Sequence, residues 1–389
     1  MDILLLSTAD WDHPFWTNKQ HVAISLAKAG HRVVYLESLG LRQPTLAQRD
    51  RGRIFRRIRK FFLSPYLVRQ NLWVVSPLLL PGIQKGISMS INRLILSGLL
   101  LYVHLRVGFR CRILWTYSPS TVMYFNPRGF SCSLYHCVDD ISAQPQMPVL
   151  ALQNLEVKTA TLVDHIVVTT PALGEKLKGL CPSIYLMPNV VDYDHFAYPS
   201  KESIETASRL MNRIPGPIIG FVGAISEYKL DFNLLLDVVD ARSEYSFVLI
   251  GKIGEGEDET DISDLQRRHN VYFMGAQSYK ELPGFLTCFD VAILPSRRNT
   301  YTDSMFPMKF FEYLAAGLPV VAIRIPALLP YQNALSLCET KEEFVIAIDR
   351  ALASLTQHED VTKRQALASQ NTYKYRTEKM LMLIKNTIE

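Results

Sequence analysis

Ile214-Pro215-Gly216-Pro217-Ile218-Ile219-Gly220-Phe221-Val222-Gly223 decides how this 389-residue chain is organised. Two prolines flanking a glycine neither extend a helix nor sit in a central strand, so the polar segment 202–217 is expected to be a helix and linker that ends there. The β-branched and aromatic run behind it reads as a buried strand, 218–222. From that point strand and helix patterns alternate afresh. Strands are expected at 247–250, 271–274, 291–294 and 320–323, and a closing helix at 372–388. Upstream the same alternation places strands at 3–7, 33–37, 72–76, 113–116, 133–136, 165–169 and 184–188. A helix over 19–29 separates the first two, and Gly30 ends it.

Strands separated by helices argue for the α/β class with parallel sheets, and the restart argues for two of them. The expected architecture is two Rossmann-like domains facing one another across a cleft. One takes 1–200 with the terminal helix 372–389, the other 201–371. The length suits two cores of roughly 150–200 residues each. Ligands of such sheets sit at the carboxyl ends of strands, so the site is sought there.

Composition removes other classes. With 48% hydrophobic and 20% charged residues the chain is neither disordered nor fibrous. No period of 20–50 residues supports a solenoid. The apolar stretch 94–105 is interrupted by Ser97 and His104 and falls short of about 20 residues, so no spanning segment is expected. Ile3-Leu4-Leu5-Leu6 has no basic residues before it and reads as a first strand, not a signal peptide. Six cysteines without a CxxC pair are expected to be reduced, buried thiols in a cytosolic protein.

Charge is uneven. Between Arg51 and Val138 there are thirteen Lys and Arg and no Asp or Glu, so the rest of this +5 chain carries −8. Within that block Arg51, Arg53, Arg56, Arg57, Arg59 and Lys60 interleave with Ile54, Phe55, Ile58, Phe61, Phe62 and Leu63 at helical spacing. This predicts a basic amphipathic helix suited to an anionic membrane surface, where each cation contributes about 1 kcal/mol. The bland alternative is a helix packed on its own domain with a solvated basic face. No motif points to nucleic acid.

The chemistry is expected in the second half. The first strand lacks GxGxxG behind it, and Gly251-Lys252-Ile253-Gly254-Glu255-Gly256 leads into an acidic loop, which argues against a dinucleotide site. In Asp303-Ser304-Met305-Phe306-Pro307-Met308-Lys309-Phe310-Phe311-Glu312-Tyr313-Leu314-Ala315-Ala316-Gly317-Leu318-Pro319, Asp303 or Ser304 is expected to cap a helix that Gly317 closes. Its amino end would receive a pyrophosphate, Lys309 would add charge, and Glu312 would accept from the vicinal hydroxyls of a ribose. The bland alternative is a surface Lys/Glu pair at i,i+3. Asp139 and Asp140 are adjacent, so their side chains diverge, and no metal site is expected.

The run Pro-x-Lys-x-x-Glu-Tyr-x-Ala-x-Gly-x-Pro-Val-Val resembles the donor-binding helix of GT-B glycosyltransferases, in particular the bacterial family-4 group that includes teichuronic-acid-type transferases. Further likenesses follow in order: Gly30-His31-Arg32-Val33-Val34-Tyr35, Tyr135-His136-Cys137-Val138-Asp139-Asp140, Pro188-Asn189-Val190-Val191-Asp192 and Phe221-Val222-Gly223-Ala224-Ile225-Ser226-Glu227. The resemblance implies that Glu312 holds the nucleotide ribose, that Gly223 and Lys229 serve the diphosphate, and that Ser304 and Met305 adjoin the donor sugar. It also implies catalytic roles for His136, near that sugar, and for Lys229. Two positions depart from the family pattern: Ser304 stands where it has Glu, and Ala224 where it has Arg. Lys309 is expected to make up the missing charge.

These readings combine into a retaining, metal-independent glycosyltransferase. It would move a sugar from a nucleoside-diphosphate donor to a lipid-linked or surface polysaccharide. The donor is a substrate, and no separate cofactor is expected. The enzyme would lie in the cytoplasm, peripheral at the inner face of the plasma membrane. A catalytically silent donor-binding subunit and a nucleotide-sugar epimerase are the rivals.

Overall fold

A computed structural model describes residues 1–13, 16–39, 57–80, 87–257, 259–355 and 358–389. The chain forms two compact units. The first takes Met1–Ser142, Gln146–Met187 and Arg376–Glu389, the second Ala143–Pro145 and Pro188–Tyr375. The chain therefore enters the second unit ahead of the expected 200/201 boundary and leaves it within the terminal helix.

In the first unit the elements run β1 (Asp2–Leu6), α1 (Asn18–Lys28), β2 (Arg32–Leu36), α2 (described over 57–63), β3 (Tyr66–Arg69), β4 (Leu72–Val75), α3 (Ile87–Val107), β5 (Ile113–Thr116), β6 (Cys132–Cys137), α4 (Val149–Ala160), β7 (His165–Val168), α5 (Pro171–Leu177) and β8 (Ile184–Leu186). They build a sheet of order β3-β4-β2-β1-β5-β6-β7-β8, parallel except for the β3–β4 pair. β1, β5, β6 and β7 are buried along their whole length, as strands covered on both faces must be.

The second unit continues with α6 (Tyr193–Ala197), α7 (Lys201–Met211), β9 (Ile218–Val222), α8 (Phe232–Ala241), β10 (Ser246–Ile250), α9 (Ser263–Gln266), β11 (Val271–Gly275), α10 (Leu282–Leu286), β12 (Val291–Leu294), α11 (Thr300–Ser304), α12 (Lys309–Ala315), β13 (Val320–Ile323), β14 (Ser336–Cys338), α13 (Lys341–Ala353) and α14 (His358–Ser369). Its sheet has the order β11-β10-β9-β12-β13-β14 and is parallel throughout. The segment 202–217 is a helix but no mere linker: α7 sends Ala207 and Met211 into the core beside Leu282 and Phe285. The last helix, α15 (Tyr373–Ile388), belongs to the first unit from Arg376 onward. There Thr387 Oγ1 lies 2.6 Å from His165 Nε2, and Arg376 donates to Asn18.

Two further expectations change. The apolar stretch around 94–105 lies within a 21-residue helix, α3, which is long and apolar enough to cross a membrane by length and composition. In the basic helix, 51–56 lie outside the described residues. The described part turns Arg57 and Lys60 toward carboxylates of its own unit. Arg57 lies 3.8 Å from Asp10, and Lys60 bonds Asp12 at 2.5 Å and the buried Glu37 at 3.0 Å. These long-range partners outweigh the burial of Lys60, and its pKa is raised. Arg57 and Lys60 thus face inward while Arg59, Phe62 (78% exposed) and Leu63 face out. All six cysteines are free.

Candidate functional site

In the second unit three loops leave the carboxyl ends of β9, β10 and β12 and are laced together. Val222 N–H donates to the Tyr313 hydroxyl at 2.8 Å, which ties the end of β9 to α12. Just beyond, Gly223 donates to Ile250 O. Gly251 crosses so close to Gly223 that a Cβ at 251 would stand 1.7 Å from the Gly223 carbonyl oxygen. Any side chain there is excluded by backbone, which explains the glycine after β10 without a nucleotide. The loop after β9 is pinned from both sides. Gly254 N–H donates to Ile225 O, Arg297 N–H to Lys229 O, and Asn299 Nδ2 to Tyr228 O.

Lys229 therefore sits on a fixed loop, its Nζ 5.3 Å from the centre of the Tyr228 ring. Sequence reasoning missed its neighbour Arg297. This exposed residue follows β12 and is held by a bond from its guanidinium to Glu227 O at 3.2 Å. The signal was available as a basic pair, Arg297-Arg298, at a strand's carboxyl end. Arg298 is engaged by Asp303 at 2.7 Å. Ala224 leaves the first position of this loop without a cation, and Arg297 stands beside the same loop.

The segment expected to be one helix is two. Asn299, not Asp303 or Ser304, caps α11 through a box with Thr302. The chain then runs non-helically to Met308 because Pro307 disfavours helical backbone at the residue before it. α12 begins at Lys309 with no side-chain cap. The Ser304 hydroxyl donates to Tyr301 O and the Met305 amide to Thr302 O, so both groups are engaged by α11 itself. Asn189 of the Pro-Asn-Val-Val-Asp run fastens this break by donating to Phe306 O at 2.7 Å.

Lys309 and Glu312 pair: Nζ donates to Oε2 at 2.6 Å, with the carboxylate side chain only 6% exposed. The i,i+3 pairing anticipated as the bland alternative is thus present, and it is partly buried. One Glu312 oxygen remains beyond this bond. Nearby, burial and the charges of Glu312 and Asp192 push Tyr279 well above the ordinary phenol range. An end of a parallel sheet that carries Lys229, Arg297 and a shielded carboxylate suits a ligand with phosphates and hydroxyls.

In the first unit His136 is the fifth residue of β6 and fully enclosed. Its Nδ1 lies 3.1 Å from the Tyr117 hydroxyl, while Nε2 is buried with no hydrogen-bond partner. Burial first, then the charges of Arg376 and Lys19, lower its pKa well below 6.5. Well above pH 6.5 both the folded and unfolded chains hold this ring neutral. Below it the unfolded chain takes up a proton that the folded one refuses, so stability falls as pH drops from about 6.5 toward the lowered value. The limiting slope is about 1.4 kcal/mol per pH unit. His136→Asn should flatten the fall of the urea-derived unfolding free energy between pH 6.5 and 5, by up to that limiting slope, and an unchanged slope would contradict the assignment.

Among the described residues no group of three or more His, Cys, Asp or Glu could hold a metal ion. Residues 216–354 match the family described as "Glycosyl transferases group 1". The chain is 26% identical over 233 residues to a Bacillus subtilis (strain 168) protein provisionally named teichuronic acid biosynthesis glycosyltransferase TuaH. That match covers 57% of this chain and spans 57% of the length of the relative. Sucrose-phosphate synthase from Thermosynechococcus elongatus superimposes with a TM-score of 0.69 at 16% identity, covering 99% of this chain and 98% of that one. Anabaena HepE in complex with UDP-glucose does so at 0.63 and 12%, covering 99% of each.

Proposed function

From a chain that has the GT-B architecture and carries a glycosyl transferases group 1 domain, we infer a glycosyltransferase that draws on a nucleoside-diphosphate sugar. One observation carries the reading. The matched stretch 216–354 contains the β9 loop with Gly223 and Lys229, Arg297, and the Lys309–Glu312 pair. Lys229 and Arg297 take the diphosphate. They stabilise the charge that grows on it as the glycosidic bond breaks, without calling on a metal. Glu312 accepts the ribose hydroxyls with its second oxygen while Lys309 holds the first. The likeness to HepE, solved with UDP-glucose, supports a uridine donor.

The transfer proceeds with retention, the leaving phosphate assisting attack from the same face. Ser304 and Met305 adjoin the donor sugar through α11. His136, enclosed behind Tyr117, acts as a positioning residue. The relative named for teichuronic acid biosynthesis and the acid-free cationic stretch support a lipid-linked or surface polysaccharide acceptor at the inner face of the plasma membrane. Ala224 and Ser304 favour one second reading, a subunit that binds the donor and never turns it over.

Calorimetry with UDP tests the donor site. Lys229→Ala and Arg297→Ala should each weaken binding by about 1.5–3 kcal/mol, the scale of a charged hydrogen bond, and leave binding of uridine unchanged. Wild-type affinity in both variants would remove the assignment. UDP binding without transfer from any UDP-sugar to membrane extract would select the silent subunit.

A further inference from the structure

We propose that α3 is an in-plane docking helix for an anionic lipid bilayer, which deepens the membrane part of the proposed function and rests on it. The helix has two apolar stripes. One, through Leu96, Leu99 and Val103, is buried in the core under the sheet of the first unit with Leu36 and Val75. The other is in solvent: Ile87 (82% exposed), Ile91, Leu94 (74%), Leu101 (58%) and Leu105 (74%). With Gly98 these positions advance by four, three, four, three and four residues, so they form one continuous ridge. The outward face of a helix on a soluble sheet is ordinarily polar, and a contiguous apolar face marks an interaction surface.

Charge identifies the occupant. The exposed cations here are Arg59 on α2, Arg69 on β3, Arg106 on α3, and Arg110 and Arg112 just after it, while Arg93 of α3 is engaged, its Nε donating to Met123 O at 2.7 Å. Among the described residues none of these five makes an ion pair, and no Asp or Glu occurs from 51 to 138 to offset them. A second copy would bring the same cations to a two-fold contact, which like charges oppose. A bilayer rich in anionic lipid offers negative charge at the headgroups and apolar depth beneath them.

At about 1.5 Å per residue α3 is as long as a hydrocarbon core is thick. Its buried stripe nevertheless holds it flat on the sheet, so it lies in the interface and does not cross it. α2 shares that side of the sheet: Phe61 joins the cluster of Leu96, Leu99 and Val103, and Phe62 and Leu63 point outward. Arg57, engaged at Ser38 O and near Asp10, has no part in the docking.

The experiment is co-sedimentation of the full chain with vesicles of phosphatidylglycerol and phosphatidylcholine, or of phosphatidylcholine alone. Wild type should bind the anionic vesicles strongly and the zwitterionic ones weakly. Leu94→Gln/Leu101→Gln/Leu105→Gln, all at exposed positions, should lower the partition coefficient at least tenfold at every salt concentration. Arg106→Gln/Arg110→Gln/Arg112→Gln should lower it about a hundredfold in low salt. It should then match wild type at 1 M, where the Debye length is about 3 Å. Arg57→Gln should bind as wild type does.

Absence of wild-type binding overturns the proposal, as does unchanged binding in both triple variants. A wild-type dimer that the leucine variant renders monomeric overturns it in favour of a second copy. UDP affinity on the same preparations separates this from the enzymatic reading. Lost vesicle binding with intact UDP binding removes only the docking helix, and the reverse removes only the donor site.

Discussion

Gly251→Ala is expected to destabilise the second unit by about 3–5 kcal/mol. The new Cβ would lie 1.7 Å from Gly223 O and 2.8 Å from its carbonyl carbon, and both are main-chain atoms. No side chain can swing aside. β10 and β9 are paired in register up to Ile250 and Val222, so their carboxyl ends must part. The Gly223 N–H to Ile250 O bond goes with them, and Val222 is drawn off Tyr313. Overpacking typically costs about 1–3 kcal/mol, and a buried hydrogen bond left unmade about 1–3 more. Urea unfolding followed by fluorescence should show the change in one of two transitions, since the units need not unfold together. Gly223→Ala is the control: its Cβ meets the tip of the Phe221 ring at 2.7 Å, and a ring can give way. Equal midpoints for Gly251→Ala and wild type would show that the strand ends are looser than described.

Glu312→Gln is expected to weaken UDP about ten- to a hundredfold, roughly 1.5–3 kcal/mol, because charged acceptors bind hydroxyls more strongly than amides do. The amide still offers Lys309 an oxygen, so the fold should hold. Glu312→Ala is harsher: it leaves the ammonium of Lys309, only 24% exposed, without its partner. Inorganic pyrophosphate has no ribose and should bind the Gln variant as it binds wild type. Calorimetry with both ligands decides the point, since a parallel loss for the two would make Glu312 a structural partner of Lys309 alone.

The strands were legible because parallel strands buried on both faces leave short, nearly uninterrupted apolar runs. β5 falls on the expected 113–116, and β1, β2 and β4 within a residue of their expected positions. β3 was missed: four residues at a sheet edge, directly after Pro65 in a stretch read for its charge, carry too little pattern. The i,i+3 pair on α12 could be read from spacing, since helical geometry alone brings Lys309 to Glu312. The break before it could have been read too, from Asn299-x-x-Thr302 and Pro307, but the capping residues Asp303 and Ser304 drew the helix start too late. What sequence spacing could not show was the direction of α2. Arg57 and Lys60 turn inward because Asp10, Asp12 and Glu37 lie 23 to 48 residues away in sequence and meet them only in the folded unit. Arg297 was readable as half of a basic pair at a strand's carboxyl end, but its place beside the loop of Lys229 exists only in the fold.

The passage of α15 back into the first unit has a consequence for how the molecule comes into being. During synthesis the ribosome delivers β1 to β8 first, but the pieces that close this unit, Arg376 against Asn18 and Thr387 against His165, arrive after the whole of the second unit. The second unit is nearly contiguous and can complete its sheet as it emerges. The first must wait with an unfinished face. In the interval Asn18 and His165 lack the partners that later bury them. The earliest part of the chain to be made is therefore the last to be finished, and a fragment ending before Arg376 lacks a segment of its own first unit.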